Sequence, residues 1–266
     1  MNGPAAPHSA FQKEKGACRL SQVIVIASGK GGTGKTTLCA GLAAGLAAQG
    51  RRVLCIDADV GLRNLDLSLG MEDRAVVTFA DVMAGRVSLD QAPAHPDIPG
   101  LYLLTAPVTE SPEALDPAAF ADLLRQARAA FDWCLIDAPA GIGAGFRLAV
   151  SAADRAILAA LYDPASLRDA AWTARVLAGT GMQTMHLVVN RVARRAFSRA
   201  GITVDDIMDT VSLPLLGLVP EDARVPMAAA AGRPLLLYTD RGAASACRRI
   251  ARRLEGEHVP LKKRFP

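Results

Sequence analysis

The octet Gly29-Lys30-Gly31-Gly32-Thr33-Gly34-Lys35-Thr36 satisfies the pattern G-x-x-x-x-G-K-[ST], and few short motifs restrict a fold as much. The pattern works only where an apolar strand runs in and a helix runs out. Both are present, as the run Val23–Ala27 and the Ala/Leu-rich stretch from Thr36. Glycines let the backbone wrap so that successive N–H groups point inward at phosphate oxygens, and the helix N-terminus adds partial positive charge. Gly31, Gly32, Thr33, Gly34 and Thr37 are the expected cradle. Lys35 is placed to reach the β- and γ-phosphates, and the Thr36 hydroxyl to ligate Mg²⁺.

Beyond the octet, short apolar runs alternate with helical stretches. The strands expected are Val23–Ala27, Val53–Ile56, Leu101–Thr105, Trp133–Ile136, Ala156–Leu161, His186–Asn190 and Leu215–Val219. The helices expected are Thr36–Gln49, Pro117–Ala130, Ser166–Ala178, Val204–Thr210 and Gly242–Leu254. Continuous apolar strands are buried on both faces, which implies a parallel sheet covered by helices. The fold class is α/β, a doubly wound and mostly parallel sheet with helices on both faces, as in P-loop NTPases. Residues 1–20 read as a flexible extension, 21–255 as one domain and 256–266 as a basic tail.

No apolar run approaches the ~20 residues of a membrane span, and Val23–Ala27 is too short for a secretory signal. Cys18, Cys39, Cys55, Cys134 and Cys247 form no C-x-x-C pair, so reduced core thiols in a cytosol are expected, with no disulfide framework or metal cluster. The chain carries a net charge of +4, but residues 241–266 hold eight basic side chains against Glu255 and Glu257. That imbalance suits an anionic surface, membrane or nucleic acid, or simply a solvated helix face and tail.

Lys30 is a second lysine inside the loop, where phosphate wrapping requires none. With it, Lys30-Gly31-Gly32-Thr33-Gly34-Lys35-Thr36 resembles the signature of the deviant Walker A ATPases. The resemblance implies ATP with Mg²⁺, a homodimer closed by ATP, and Lys30 acting on the nucleotide of the partner subunit. Asp57 and Asp59 end the second strand, and strand alternation would set both on one face. One would help hold Mg²⁺ and the other would orient the attacking water. By resemblance hydrolysis depends on Asp59, which leaves Asp57 for the metal. Trp133-Cys134-Leu135-Ile136-Asp137 looks like a Walker B strand, with Asp137 facing Mg²⁺ through water.

The run Gly61-Leu62-Arg63-Asn64-Leu65-Asp66 looks like the first switch of the MinD branch, the ATPases that position the division septum. Asp137-Ala138-Pro139-Ala140-Gly141-Ile142 fits its second switch, although Gly143 stands where that branch commonly has glutamate. The resemblance spans about residues 22–254 and implies that Asn190, Pro220, Glu221 and Asp222 hold adenine. It also implies a division-inhibitor partner, an activator of slow hydrolysis, and a C-terminal segment docking on the inner face of the membrane. Leu261, Lys262, Lys263, Arg264 and Phe265 are the candidates: if helical from Pro260, Leu261 and Phe265 share a face. The stripe Cys247, Ile250, Ala251 and Leu254 suits core packing instead. The alternative is a ParA-like partitioning ATPase binding DNA through Arg248, Arg249, Arg252 and Arg253 with Arg191, Arg194, Arg195 and Arg199.

Overall fold

Seven strands form one all-parallel sheet in the computed structural model, which describes residues 21–74, 76–193 and 201–261. They are β1 Gln22–Ala27, β2 Val53–Asp57, β3 Leu101–Leu104, β4 Trp133–Asp137, β5 Arg155–Ala160, β6 Thr184–Val192 and β7 Leu215–Pro220. The spatial order is β3-β2-β4-β1-β5-β6-β7. The chain therefore winds one way from β1 to β2 and β3, and the other way through β5 to β7. Ligands of such sheets lie beyond the carboxyl ends of the strands, where the winding reverses, and here that point is β1 and its neighbours β4 and β5.

Every residue of β2 and β4 is buried, as are five of the six in β1. Val23, Val25 and Ala27 face one helical layer while Ile24 and Ile26 face the other. The described helices are α1 Lys35–Ala47, α2 Leu65–Leu69, α3 Phe79–Met83, α4 Pro117–Ala130, α5 Ala144–Val150, α6 Pro164–Gly179, α7 Val204–Val211, α8 Arg224–Ala230, α9 Leu235–Tyr238 and α10 Gly242–Leu254. All seven expected strands and five expected helices are present, with ends displaced by one or two residues. Five short helices escaped the sequence reading: α2, α3, α5, α8 and α9. None is longer than seven residues, too short for a 3.6-residue period to declare itself.

Helix α1 is apolar around almost its whole circumference, as a helix sandwiched between sheet and helix must be. Its outer neighbour is α10, and small residues let the two approach. A Cβ at Gly41 would stand 2.6 Å from Cys247 Sγ, and one at Gly45 would stand 3.0 Å from Ala251 Cβ. Cys247, Ile250, Ala251 and Leu254 are all core residues. Cys39, Cys55, Cys134 and Cys247 are buried free thiols. Beyond α10, the buried Glu255 accepts from Trp133 Nε1 at 2.7 Å and from Arg51 Nη2 at 2.7 Å. Those bonds lock the helix end beneath the amino ends of β2 and β4. No helix among the described residues is long and apolar enough to cross a membrane.

Candidate nucleotide site

Between β1 and α1 the loop turns on glycines in the left-handed region, Gly32 at φ 76° and Gly34 at φ 82°, which side-chain-bearing residues seldom adopt. The space around the glycines separates into two kinds. A Cβ at Gly29 would meet the backbone carbonyl of Asp169, and one at Gly34 would meet the Asn190 amide. A Cβ at Gly31 or Gly32 would meet nothing within 4 Å. The loop is thus pressed against α6 and β6 on one side and open on the other, where a phosphate group has room.

Asp137 is one of two buried acids of the site, with Asp57. It ends β4 directly opposite Asp57 at the end of β2 and is 1% exposed. The Thr36 hydroxyl favours its charged form, while the Asp137 Oδ1 is buried without a hydrogen-bond partner. Burial, reinforced by the charge of Asp57, pushes it up to about 7 against the opposing pull of Thr36 and Lys35. A dry carboxylate with an unsatisfied oxygen beside a threonine hydroxyl suits a hard, oxygen-seeking cation. Thr36 and Asp137 therefore fit Mg²⁺.

Asp57 is organised differently from the sequence expectation. Strand β2 ends at Asp57, so alternation does not carry Asp59 onto the same face. The Asp57 carboxylate turns back into its own loop. Oδ1 accepts from the N–H of Asp59 at 3.0 Å, and Oδ2 from those of Asn64 at 3.1 Å and Leu65 at 3.0 Å. Asp57 thereby caps α2 from seven residues upstream and closes the loop that contains Asp59. Burial pushes Asp57 up to about 6, although these N–H groups favour its charge. Asp59 is half-buried and also raised by burial, with the Lys35 ammonium pulling the other way. Lys35 itself is 8% exposed.

Lys30 points away from its own loop. Its Nζ lies 3.4 Å from Asp163 Oδ1, and both side chains are partly exposed. That same oxygen caps α6 by accepting from Ser166 N at 2.9 Å. Burial alone would raise Asp163, but Ser166 N–H and Lys30 hold it below the usual carboxylate range. Nothing local marks this contact, because Lys30 and Asp163 are far apart along the chain.

A cavity of about 540 Å³ opens beside Gly32, Gly34 and Thr37, and its wall includes Asn190, Pro220, Glu221 and Asp222. All four expected adenine residues are thus gathered at one cleft. Two of them hold structure there. Asn190 Nδ2 donates to Thr33 O at 2.8 Å, and Asn190 Oδ1 accepts from Arg191 N at 2.9 Å. Asp222 Oδ1 accepts from Arg224 Nε at 2.7 Å and its Oδ2 from Ala243 N at 2.9 Å, joining α8 to the start of α10. Sequence reasoning missed the apolar lining supplied by Val225, Pro226 and Leu235, which no polar motif marks.

Residues 24–235 match the CobQ/CobB/MinD/ParA nucleotide-binding domain family. The septum site-determining protein MinD of Synechocystis is 39% identical over 245 residues, covering 91% of this chain and 92% of the relative. This chain belongs to the MinD family. Among solved structures, MinD in the MinC:MinD complex of Aquifex aeolicus is 36% identical with a TM-score of 0.85, covering 92% of this chain and all of that one. MinD of Pyrococcus horikoshii, solved with Mg-ADP, is 31% identical with a TM-score of 0.78, over 88% of this chain and 96% of that one. MinD family members are P-loop ATPases, and nucleotide with Mg²⁺ suits the loop, acid and cleft described above.

The C-terminal candidates divide. Lys262, Lys263, Arg264 and Phe265 lie outside the described residues. Residues 257–261 are non-helical, and Leu261 lines a small cleft together with Leu218, Ala246, Arg249 and Arg253. The Arg253 guanidinium donates to Val259 O at 2.8 Å, Pro260 O at 2.9 Å and Leu216 O at 2.8 Å. It pins the segment before the tail to β7.

Proposed function

We propose that this chain is a dimerising switch of the MinD type, slowly hydrolysing ATP and positioning the division septum through nucleotide-controlled attachment to an anionic membrane. The observation that carries the nucleotide chemistry is Asp137, buried, its charge favoured by Thr36 and one oxygen left unsatisfied. Thr36 and Asp137, with Asp57 beside them, would hold Mg²⁺, which when bound neutralises phosphate charge. Gly31, Gly32, Thr33, Gly34 and Thr37 cradle the phosphates, and Lys35 counters their charge. Asp59 orients the attacking water, and the cleft at Asn190 and Pro220–Asp222 takes the base.

Lys30 serves the partner's nucleotide. Its looseness supports this role: a partly exposed lysine on a partly exposed aspartate is held weakly and can leave Asp163 when the dimer closes. A division inhibitor of the kind bound in the Aquifex complex and an activator of hydrolysis are the expected partners. Leu261, Lys262, Lys263, Arg264 and Phe265 form the membrane contact. DNA partitioning is the weaker alternative. Among the arginines it would use, Arg253 is bonded to three carbonyls, Arg252 to Glu257 at 2.7 Å and Arg191 to Glu221 at 3.1 Å.

The test is complementation between two inactive chains, Lys30→Ala and Asp59→Ala. Their mixed dimer keeps one intact composite site if Lys30 acts across the interface, and recovers part of the ATPase rate. With mixing verified, no recovery at saturating ATP would place Lys30 on its own nucleotide.

A further inference from the structure

Strand β6 carries an extra residue where it passes the phosphate loop. Val189 lies opposite Leu218 of β7 and Val192 opposite Pro220, so three steps along β6 face two along β7. That is a bulge, and a bulge beside a site re-aims the side chains it carries. Arg191 absorbs it with a left-handed backbone, φ 53°. Glycine takes that conformation freely and a β-branched residue takes it badly.

The residue beside the kink is Asn190, which is 6% exposed. Its Nδ2 donates to Thr33 O at 2.8 Å, with Gly34 O further off at 3.5 Å, and its Oδ1 accepts from Arg191 N at 2.9 Å. A backbone carbonyl only accepts and a backbone N–H only donates, so these partners fix which end of the amide faces the loop. The fit is close, since a Cβ at Gly34 would collide with Nδ2.

An amide with both ends held by backbone has little left for the edge of a base. Asn190 stands in the cleft wall, yet its bonds run to the loop and to its own strand. The carbonyls it meets belong to Thr33 and Gly34, the two residues directly before Lys35. Holding them sets the direction of the N–H groups that follow and of the Lys35 stem. We propose that Asn190 is a positioning residue for the phosphate loop, aimed by the bulge at Arg191, and that it does not read the adenine edge. The proposal rests on the nucleotide reading above and leaves recognition of the base to the other residues of the cleft.

Calorimetry of the full chain with Mg²⁺ tests it, using ADP, IDP and inorganic pyrophosphate. Diphosphates avoid turnover, IDP inverts the donor and acceptor groups on the base edge, and pyrophosphate has no base. Asn190→Ala should weaken all three ligands alike, by roughly tenfold, the scale of one hydrogen bond, with the ratio of ADP to IDP affinity as in wild type. Asn190→Asp keeps an acceptor for the Arg191 N–H but sets an oxygen against Thr33 O, and should bind no better than the alanine variant. Arg191→Gly and Arg191→Val both lose the ion pair with Glu221 and differ in how readily they take the left-handed backbone. The glycine variant should therefore bind pyrophosphate several-fold more tightly than the valine variant. Should Asn190→Ala fail to fold, this pair carries the test.

A lost preference between ADP and IDP in Asn190→Ala, with pyrophosphate unmoved, would make Asn190 a base contact and overturn the proposal while the nucleotide reading stands. A lower urea midpoint with all three affinities unmoved in the folded protein would reduce Asn190 to a stabilising bond and overturn it too. So would equal pyrophosphate affinities in the two Arg191 variants. If wild type bound neither ADP nor pyrophosphate, the nucleotide reading itself would fall, and the proposal with it.

Discussion

Replacing Asp137 by asparagine removes one charge from the driest part of the nucleotide site while keeping its shape. In the wild type, burial and the neighbouring Asp57 push Asp137 up to about 7, from an ordinary value of 3.8. Between those pH values the folded chain keeps a proton that the unfolded chain has released. Stability therefore falls as pH rises through the window and levels off above it. At ~1.4 kcal/mol per pH unit, the whole displacement corresponds to ~4 kcal/mol.

The nucleotide-free Asp137→Asn chain should accordingly be more stable than wild type by ~2–4 kcal/mol at pH 8, an advantage that shrinks by ~2–3 kcal/mol on going to pH 5. Urea unfolding of both proteins across that range measures it. His95 does not confuse the comparison: burial lowers it, which costs stability below its ordinary value, but equally in both chains. Mg-ATP at a thousandfold excess over Kd should reverse the ranking, because wild type then gains ~4.1 kcal/mol and the variant does not. A difference independent of pH, or a variant less stable than wild type at pH 8 without nucleotide, would refute the assignment of Asp137 as a strained buried acid.

Lys35→Ala should abolish ATP binding by calorimetry while leaving the fold intact, since the loop loses the ammonium expected to meet the β- and γ-phosphates. Gly41→Ala should cost ~1–3 kcal/mol by overpacking, because its Cβ would stand 2.6 Å from Cys247 Sγ; Cys247→Ala in the same chain should restore most of the urea midpoint. Trp133→Phe removes the 2.7 Å donor to Glu255 and should cost ~1–3 kcal/mol, with Glu255→Gln in that background recovering part if the unmet carboxylate is the cause. Truncation after Pro260 keeps the carbonyls held by Arg253 and should preserve ATP affinity while vesicle binding in ATP falls.

The sheet was legible because its strands are continuous apolar runs and its longer helices carry whole turns of pattern. The phosphate loop was legible because glycine positions are steric requirements that leave a fixed spacing. Asp57 was harder. Its three N–H partners come from residues 59, 64 and 65, and no periodicity foretells a carboxylate folding back over seven residues. Lys30 and Asp163 are 133 residues apart in sequence, so their meeting depends on β1 and β5 being neighbours. The spacing of the arginines of α10 suits one solvated face, yet Arg253 and Arg248 are both tied to backbone carbonyls. Sequence supplies their spacing along a helix but not the carbonyls that happen to lie opposite.

The seam between α1 and α10 has a mechanical consequence. Thirteen residues make α1 roughly 20 Å long. A tilt of about 5° at its phosphate end would therefore displace Ala47 by roughly 1.7 Å. With glycine at positions 41 and 45, Cys247 and Ala251 of α10 sit directly against the backbone of α1, so α10 must travel with such a swing. The pinned segment at Val259 and Pro260 rides on that helix like the needle of a gauge. Its dial is read at one pole of the molecule and its setting is made at the other.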